Sequence, residues 1–216
     1  MNKENTPLTS RRELRRQDRR EAILAVAART FLEQGYAGTT MSGIAATLGG
    51  SKGTLWNYFA SKEELFAAVI DQVTIEYRVR LSEILDDPYG DVMVTLKRFC
   101  MGIMEKVTSP DAIALHRLVV AEAGRFPEMG RIFYDRAPRQ THILLSGFLE
   151  GAMERGQIRA EEPIQAARLL VGLCLAGCQQ KLLMGLIETA TAEIIAADVD
   201  RATDVFMRAY APPQVN

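Results

Sequence analysis

The chain has 216 residues, of which 48% are apolar and 25% charged, with a net charge of −1; this suits one large domain, or a small one joined to a larger one, with a substantial core. The near-neutral total excludes a uniformly basic polyanion binder, but the charge is divided. Residues 1–62 carry ten Lys/Arg against five Asp/Glu, a net of +5, and the remainder sixteen against twenty-two, a net of −6. A basic head on an acidic body confines contact with nucleic acid or another anionic surface to one end. Three cysteines, Cys100, Cys174 and Cys178, form an odd count that argues against a disulfide framework. The polar, Arg-rich start lacks the apolar stretch of a signal peptide, and no apolar run reaches the ~18 residues of a membrane span. The expectation is a cytoplasmic protein with no membrane partner.

In chain order, residues 1–16 read as a flexible basic arm. Ile23, Val26, Ala27, Thr30 and Phe31 recur at helical spacing over about 17–34, ending at Gly35, a natural position after a helix end. Met41, Ile44, Ala45 and Leu48 repeat the pattern, with Thr40 as N-cap and Gly49 as stop. A third, very short helix over 51–59 carries Leu55 and Phe59 inward, with Ser51 able to cap it. Ser61-x-x-Glu64 is a capping box that opens a fourth helix through Leu65, Phe66, Val69, Ile70 and Val73. Beyond residue 86, Pro88-Tyr89-Gly90 breaks the chain. A helix near 91–107 follows, then one near 110–124 that Ser109-Pro110-Asp111 starts. A long helix through 128–155 is expected to kink at Pro138 and stop at Gly156. Pro163 starts a long apolar helix to about 187, and a last one covers 190–210. Strand signals are nearly absent. The fold class is therefore all-α: a three-helix head at 17–62, a helical body at 63–210 and a tail at 211–216.

Two short helices separated by Gly49-Gly50, after a longer one, make a helix-turn-helix layout. With Ile44, Ala45, Leu48, Leu55 and Phe59 inward, the second short helix is left with Lys52, Gly53, Thr54, Trp56, Asn57 and Tyr58 on or near its outer face. Such a face offers hydrogen-bond groups and apolar edges to a major groove. Trp56 and Tyr58 have a plainer alternative, packing against the first or fourth helix. Lys62 falls in the first turn of its helix, where the macrodipole disfavours a cation; a phosphate docked there would satisfy it, a solvated lysine being the alternative.

Residues 18–65, centred on "GYAGTTMSGIAATLGGSKGTLWNYFASKEEL", resemble the DNA-binding domain of the TetR family of bacterial transcriptional regulators. The resemblance implies a homodimer whose small head reads an operator and whose helical body binds an inducer. It implies that Thr40 caps the second helix against a phosphate and that Ser42 lies near the groove. Lys52, Gly53 and Thr54 would open the recognition helix, Trp56, Asn57 and Tyr58 would line it, and Lys62 would bind phosphate. The sequence departs from the usual pattern at Gly50 in the turn, at Trp56 in place of Tyr, and at Tyr58. The body stretch "HRLVVAEAGRFPEMGRIFYDRAPRQTHILLSGFLEGAMERGQIR" is similar to the regulatory domains of the AcrR/AefR-like branch, members of which often control efflux or stress functions.

For a small-molecule inducer, the polar candidates in the body are His116, Tyr134, His142 and Gln179. Phe99, Met104, Phe133, Phe148 and Met153 would be walls, methionine suiting a reshapeable cavity. Each, taken singly, reads first as ordinary core or surface. Neither histidine has a suitably spaced second metal ligand, so no metal or other cofactor is expected. Cys174 and Cys178, four apart, would share a helix face, as a soft-metal or oxidant site or as small buried apolar residues. The last two helices, apolar around much of their circumference and carrying Gly172, Gly177 and Gly185, suit a subunit interface. "RRELRRQDRR" is suited, as an arm, to lie along phosphates or enter a minor groove, or else to extend the first helix into solvent. With no Gly-rich phosphate loop, metal-ligand cluster or G-x-S-x-G signature, an enzyme is not expected. The expected function is a dimeric repressor released from a palindromic operator by a small hydrophobic ligand. The alternative is a DNA-localised interaction protein whose body docks a protein partner.

Overall fold

A computed structural model describes residues 11–49, 52–87 and 90–212. Among them every regular element is an α-helix. The chain divides into two compact units, one ending at Val69 and the other starting at Ile70.

The first unit holds α1 (Arg11–Gly38), α2 (Met41–Thr47), α3 (Lys52–Trp56) and the opening turns of α4 (Lys62–Leu85). Helix α1 buries Ile23, Leu24, Ala27 and Phe31 along one face, the stripe an amphipathic helix needs. Gly35, at φ 75° and ψ 168°, interrupts it and lets the chain turn Tyr36 inward. Phe31, Tyr36 and Phe66 then meet with ring centroids 5.1–5.7 Å apart, two of the pairs edge-on. Helix α1 starts six residues before the expected helix start at 17, because 11–20 contain strong helix formers and no glycine or proline. A Gln17-to-Glu21 side-chain bond of 2.7 Å supports the same stretch. Residues 1–10 of the expected arm lie outside the described residues.

Helix α4 opens as expected: the Glu64 amide donates to Ser61 Oγ at 3.1 Å. The Glu64 carboxylate reaches back to the Ala60 amide at 2.8 Å, one residue earlier than a standard capping box.

The second unit continues along α4 into α5 (Val92–Val107), α6 (Pro110–Glu122), α7 (Pro127–Arg136), α8 (Pro138–Glu154), α9 (Pro163–Leu175), α10 (Cys178–Leu183) and α11 (Ala192–Ala209). Asp91, Ser109 and Thr191 cap their helices by accepting from the amide three residues on. Proline stands at the start of α6, α7, α8 and α9, where its missing N–H costs nothing. The core centres on Leu96, Phe99, Cys100 and Ile103 of α5, joined by residues of α8, α9 and α11. Phe206 and Tyr210 stack at 4.3 Å at its edge.

Two long helices expected from the sequence are each divided. The 128–155 segment breaks at Ala137 (φ −117°, ψ −81°) into α7 and α8, since Pro138 disfavours helical backbone in the residue before it. The 163–187 segment breaks at Ala176–Gly177, and Cys178 starts a new helix. There Asp198 of α11 accepts from the Cys178 amide at 2.7 Å, and a Cβ on Gly177 would lie 2.1 Å from the same carboxylate oxygen. The absence of a side chain at 177 is what admits Asp198. Cys174 and Cys178 therefore belong to different helices and do not share a face. Cys174 instead lies beside Cys100 in the core, and its thiol, ahead of burial, pushes the Cys100 thiol well above its ordinary pKa. Burial first, then Asp198, pushes Cys178 up to about 11. Thiols this hard to ionise are poor nucleophiles and poor metal ligands.

Candidate nucleic-acid interface

The turn before α2 is held by two threonines with different tasks. Thr39 is buried, its hydroxyl donating to Gly35 O at 2.6 Å, which pins the turn to the end of α1. Thr40 is exposed and accepts from the Gly43 amide at 3.0 Å, the expected N-cap. Ser42 is half-buried on the first turn of α2. Helix α2 ends through Leu48, and Gly49 turns the chain at φ 64°, a left-handed conformation that favours glycine. Gly50 and Ser51, singled out for the turn angle and the cap, lie outside the described residues.

Helix α3 is shorter than the expected 51–59. Lys52 opens it, and it stops at Trp56. The Asn57 amide still bonds to Gly53 O at 3.2 Å, and the amides of Tyr58 and Phe59 both converge on Leu55 O at 3.0 Å. Sharing one carbonyl tightens the last turn. The cause is the anchoring: Leu55 and Phe59 are each 2% exposed, and seating Phe59 swings the chain toward the Ser61 cap. Gly53, Trp56 and Asn57 remain on one exposed face, with Trp56 41% accessible. Thr54 and Tyr58 are half-buried. The arrangement offers an indole edge and a carboxamide beside a glycine that allows close approach, the chemistry a base-reading surface requires.

Tyr58 meets the first helix, the plainer alternative weighed for it, and Phe59 has a neighbour there that the sequence reading did not name. The Arg16 guanidinium lies 6.0 Å from the Tyr58 ring centroid, and that of Arg20 lies 5.4 Å from Phe59. The only sequence signal for this was the i, i+4 spacing of arginines in a segment read as an arm.

Lys62 is half-buried. Its Nζ donates to Tyr36 O at 2.9 Å and sits 4.1 Å from the Tyr36 ring centroid. The end of α1 thus supplies the negative carbonyl that offsets the unfavourable dipole at the start of α4. Next to it, Tyr36 Oη donates to Glu63 at 3.4 Å. Glu63 is held below its ordinary pKa by its own backbone amide and then by Ser61.

In the body, the structure gathers the nine candidate ligand residues into no single site: Phe99, Met104 and Phe148 share the core cluster with Met153 against it, and three others meet elsewhere. His116 Nδ1 lies 3.4 Å from Nε2 of the buried Gln179, and its ring is 5.9 Å from Phe133. Phe99 and Met104 are fully buried core, Phe148 is buried and Met153 half-buried, while Tyr134 is exposed. His142 Nδ1 is buried with no hydrogen-bond partner among the described residues. A cavity of about 750 Å³ opens between α5, α6 and the segment after α10, with Met101, Ile113, Leu182 and Ile187 as apolar walls and Glu105 and Arg117 as charged ones. None of the nine candidates lines it. Arg117 donates to the Leu182 and Leu183 carbonyls, tying α6 to the end of α10. Its lining comes from four separate elements, so helical spacing in the sequence had no way to collect it.

A capped helix-turn-helix with an exposed reading helix, followed by an all-helical body, defines a DNA-binding regulator. Residues 23–69 match the model of bacterial regulatory proteins of the tetR family, and residues 94–212 that of the C-terminal domain of AefR-like transcriptional repressors. The chain belongs to the TetR family of transcriptional regulators, which are not enzymes. It is 28% identical over 169 residues to the HTH-type transcriptional repressor NemR of Escherichia coli K12, covering 76% of this chain and 85% of the relative. Among solved structures, the flavonoid-responsive regulator FrrA is 28% identical with a TM-score of 0.73, over 92% of this chain and 100% of that one. A TetR family regulator of Pseudomonas syringae pv. tomato shares the fold at 24% identity and TM-score 0.73, over 91% and 98% of the two chains. No helix among the described residues is long and apolar enough to cross a membrane.

Proposed function

We propose that the chain is a homodimeric repressor that residues 17–62 seat on a palindromic operator and that a small hydrophobic ligand bound in the 63–210 body releases, controlling efflux or stress genes in the cytoplasm. The observation that carries the DNA half is the exposed Gly53–Trp56–Asn57 face held by buried Leu55 and Phe59. Thr40, Ser42, Lys52, Thr54, Tyr58 and Lys62 are assigned as further backbone or base contacts, the roles that the family resemblance implies for them. The ligand half is supported by the 750 Å³ cavity, the size of a drug-like site, and by a relative whose name records a flavonoid response. For the dimer, α8 and α9 expose Ile143, Gly147, Leu169 and Gly172, and a Cβ on either glycine meets nothing within 4 Å. A surface both apolar and small lets a second copy approach closely. A two-fold dimer places its reading helices one or more DNA turns apart. Ligand binding shifts the operator affinity only if the ligand prefers one spacing of the heads.

The test is selection of bound duplex from a random pool, followed by displacement with a panel of small hydrophobic compounds. The reading requires a palindromic consensus and at least one compound that releases it. Release by a protein alone, with no compound effective, would overturn the small-molecule half.

A further inference from the structure

The basic start of α1 has a more definite role than an arm. At about 100° per residue, Arg11, Arg12, Arg15, Arg16, Arg19 and Arg20 fall within one half of the helix circumference. Glu13, Asp18 and Glu21, with Leu14 and Gln17, occupy the other half. The segment is thus a helix with one cationic side and one acidic side. Its orientation within the first unit follows from two contacts: Arg16 over Tyr58 and Arg20 over Phe59. Arg16 and Arg20 therefore face the turn that ends α3, and the adjacent row Arg11–Arg15–Arg19 flanks them, with Arg11, Arg12 and Arg15 exposed.

Resting on the reading that α3 contacts DNA, we propose that residues 11–20 form a helical phosphate rail, gripping the backbone of the duplex that α3 reads. Two physical facts select this over entry into a groove. An α-helix with side chains is ~10–12 Å across, whereas the minor groove is ~6 Å wide, so a helical segment does not enter it as an extended arm does. Arginines at i, i+4 and i+8 rise ~6 Å per step, close to the ~7 Å that separates every second phosphate of one strand at ~3.4 Å each along the axis. Guanidinium groups suit such contacts by their forked geometry. Arg16 and Arg20 are positioning residues in this arrangement. Their stacking on Tyr58 and Phe59 couples the rail to the end of the reading helix.

The experiment uses the full chain and its selected operator, with binding followed by fluorescence anisotropy across a salt series. The variant Arg11→Gln/Arg15→Gln/Arg19→Gln keeps helix-forming residues and leaves the stacked row intact; helicity by circular dichroism controls for folding. The expected result is a slope of log affinity against log salt that is shallower by about 2–3 for each protomer, about 5 for the dimer, with operator and random duplex weakened alike. An unchanged slope with helicity retained overturns the rail. So does a loss confined to A·T-rich flanks, which would mean minor-groove reading. Equally, binding of wild type to anionic phospholipid vesicles that the triple variant loses, with the DNA slope unchanged, would assign the face to a membrane. Should the wild-type chain select no duplex at all, the regulator reading itself fails, a result distinct from these. A second variant, Arg16→Ala, tests the coupling. It is expected to lower discrimination between operator and random duplex as well as the slope, whereas Arg15→Ala lowers the slope alone; identical behaviour of the two overturns the coupling.

Discussion

Replacing Lys62 by alanine separates two tasks that this side chain holds. Inside the protein, its Nζ donates to Tyr36 O at 2.9 Å and lies 4.1 Å from the Tyr36 ring centroid. A hydrogen bond from a charged donor contributes about 1.5–3 kcal/mol and a half-exposed cation–π contact about 0.5–1. Solvent competes at this half-buried site, so about 2 kcal/mol is the expected loss. For a chain of this length that corresponds to a fall in Tm of roughly 4–8 °C. The phosphate role would ask the same ammonium group, which has three donors, to reach a phosphate oxygen as well. Thermal melts of Lys62→Ala and Lys62→Met, read with operator binding across a salt series, separate the tasks. The structural task lowers Tm in both variants, and the phosphate task reduces the salt slope by about 0.9 for each protomer, roughly 2 for the dimer. An unchanged Tm would refute the packing argument, and an unchanged slope would refute the phosphate role while leaving the packing intact.

Asn57→Ala is expected to cost about 1–3 kcal/mol of operator binding and relax specificity at one position of each half-site, read by repeating the duplex selection; an unaltered consensus would remove Asn57 from the base contacts. Gly177→Ala places a Cβ 2.1 Å from Asp198 Oδ2, so the carboxylate must leave the Cys178 amide. The expected destabilisation is about 1–3 kcal/mol, and because the same contact is lost in Asp198→Ala, the double variant should melt close to the Asp198 single variant. Acidification should also loosen the body. Burial holds both His116 and His142 below the ordinary 6.5, with Arg168 adding to the effect at His142. Their folded pKa values lie under the unfolded ones, so this contribution is fully present above about 6.5 and is lost as pH falls through the lowered values. Melts from pH 8 to 5 should show a decline that His116→Gln/His142→Gln flattens; a parallel decline in the double variant would locate the acid sensitivity elsewhere.

Several elements were legible because their causes are local. Thr40 and Ser61 act as caps through atoms only three residues away, and Leu55 and Phe59 declare their burial by spacing. Pro110, Pro127 and Pro163 mark helix starts because a missing N–H costs nothing only there. The breaks at Ala137 and Gly177 were less legible. Pro138 signals a disturbance but not its size, and the second break depends on Asp198, 21 residues away from Gly177. The cavity escaped for the same reason, since α5, α6, α10 and the link to α11 each contribute to it.

By itself, the sequence determined the all-α class, the helix-turn-helix with Gly53, Trp56 and Asn57 outward, and the placing of positive charge at one end. Periodicity, capping and composition are written within a few turns of chain, and they need no partner from elsewhere. Only the tertiary structure decided how the long-range contacts were spent. It turned Lys62 toward the carbonyl of Tyr36, parted Cys174 from Cys178, and set Arg16 and Arg20 on the rings that follow α3. Each of these depends on which helices meet, and a distance between side chains far apart in sequence exists only once the core has brought them together.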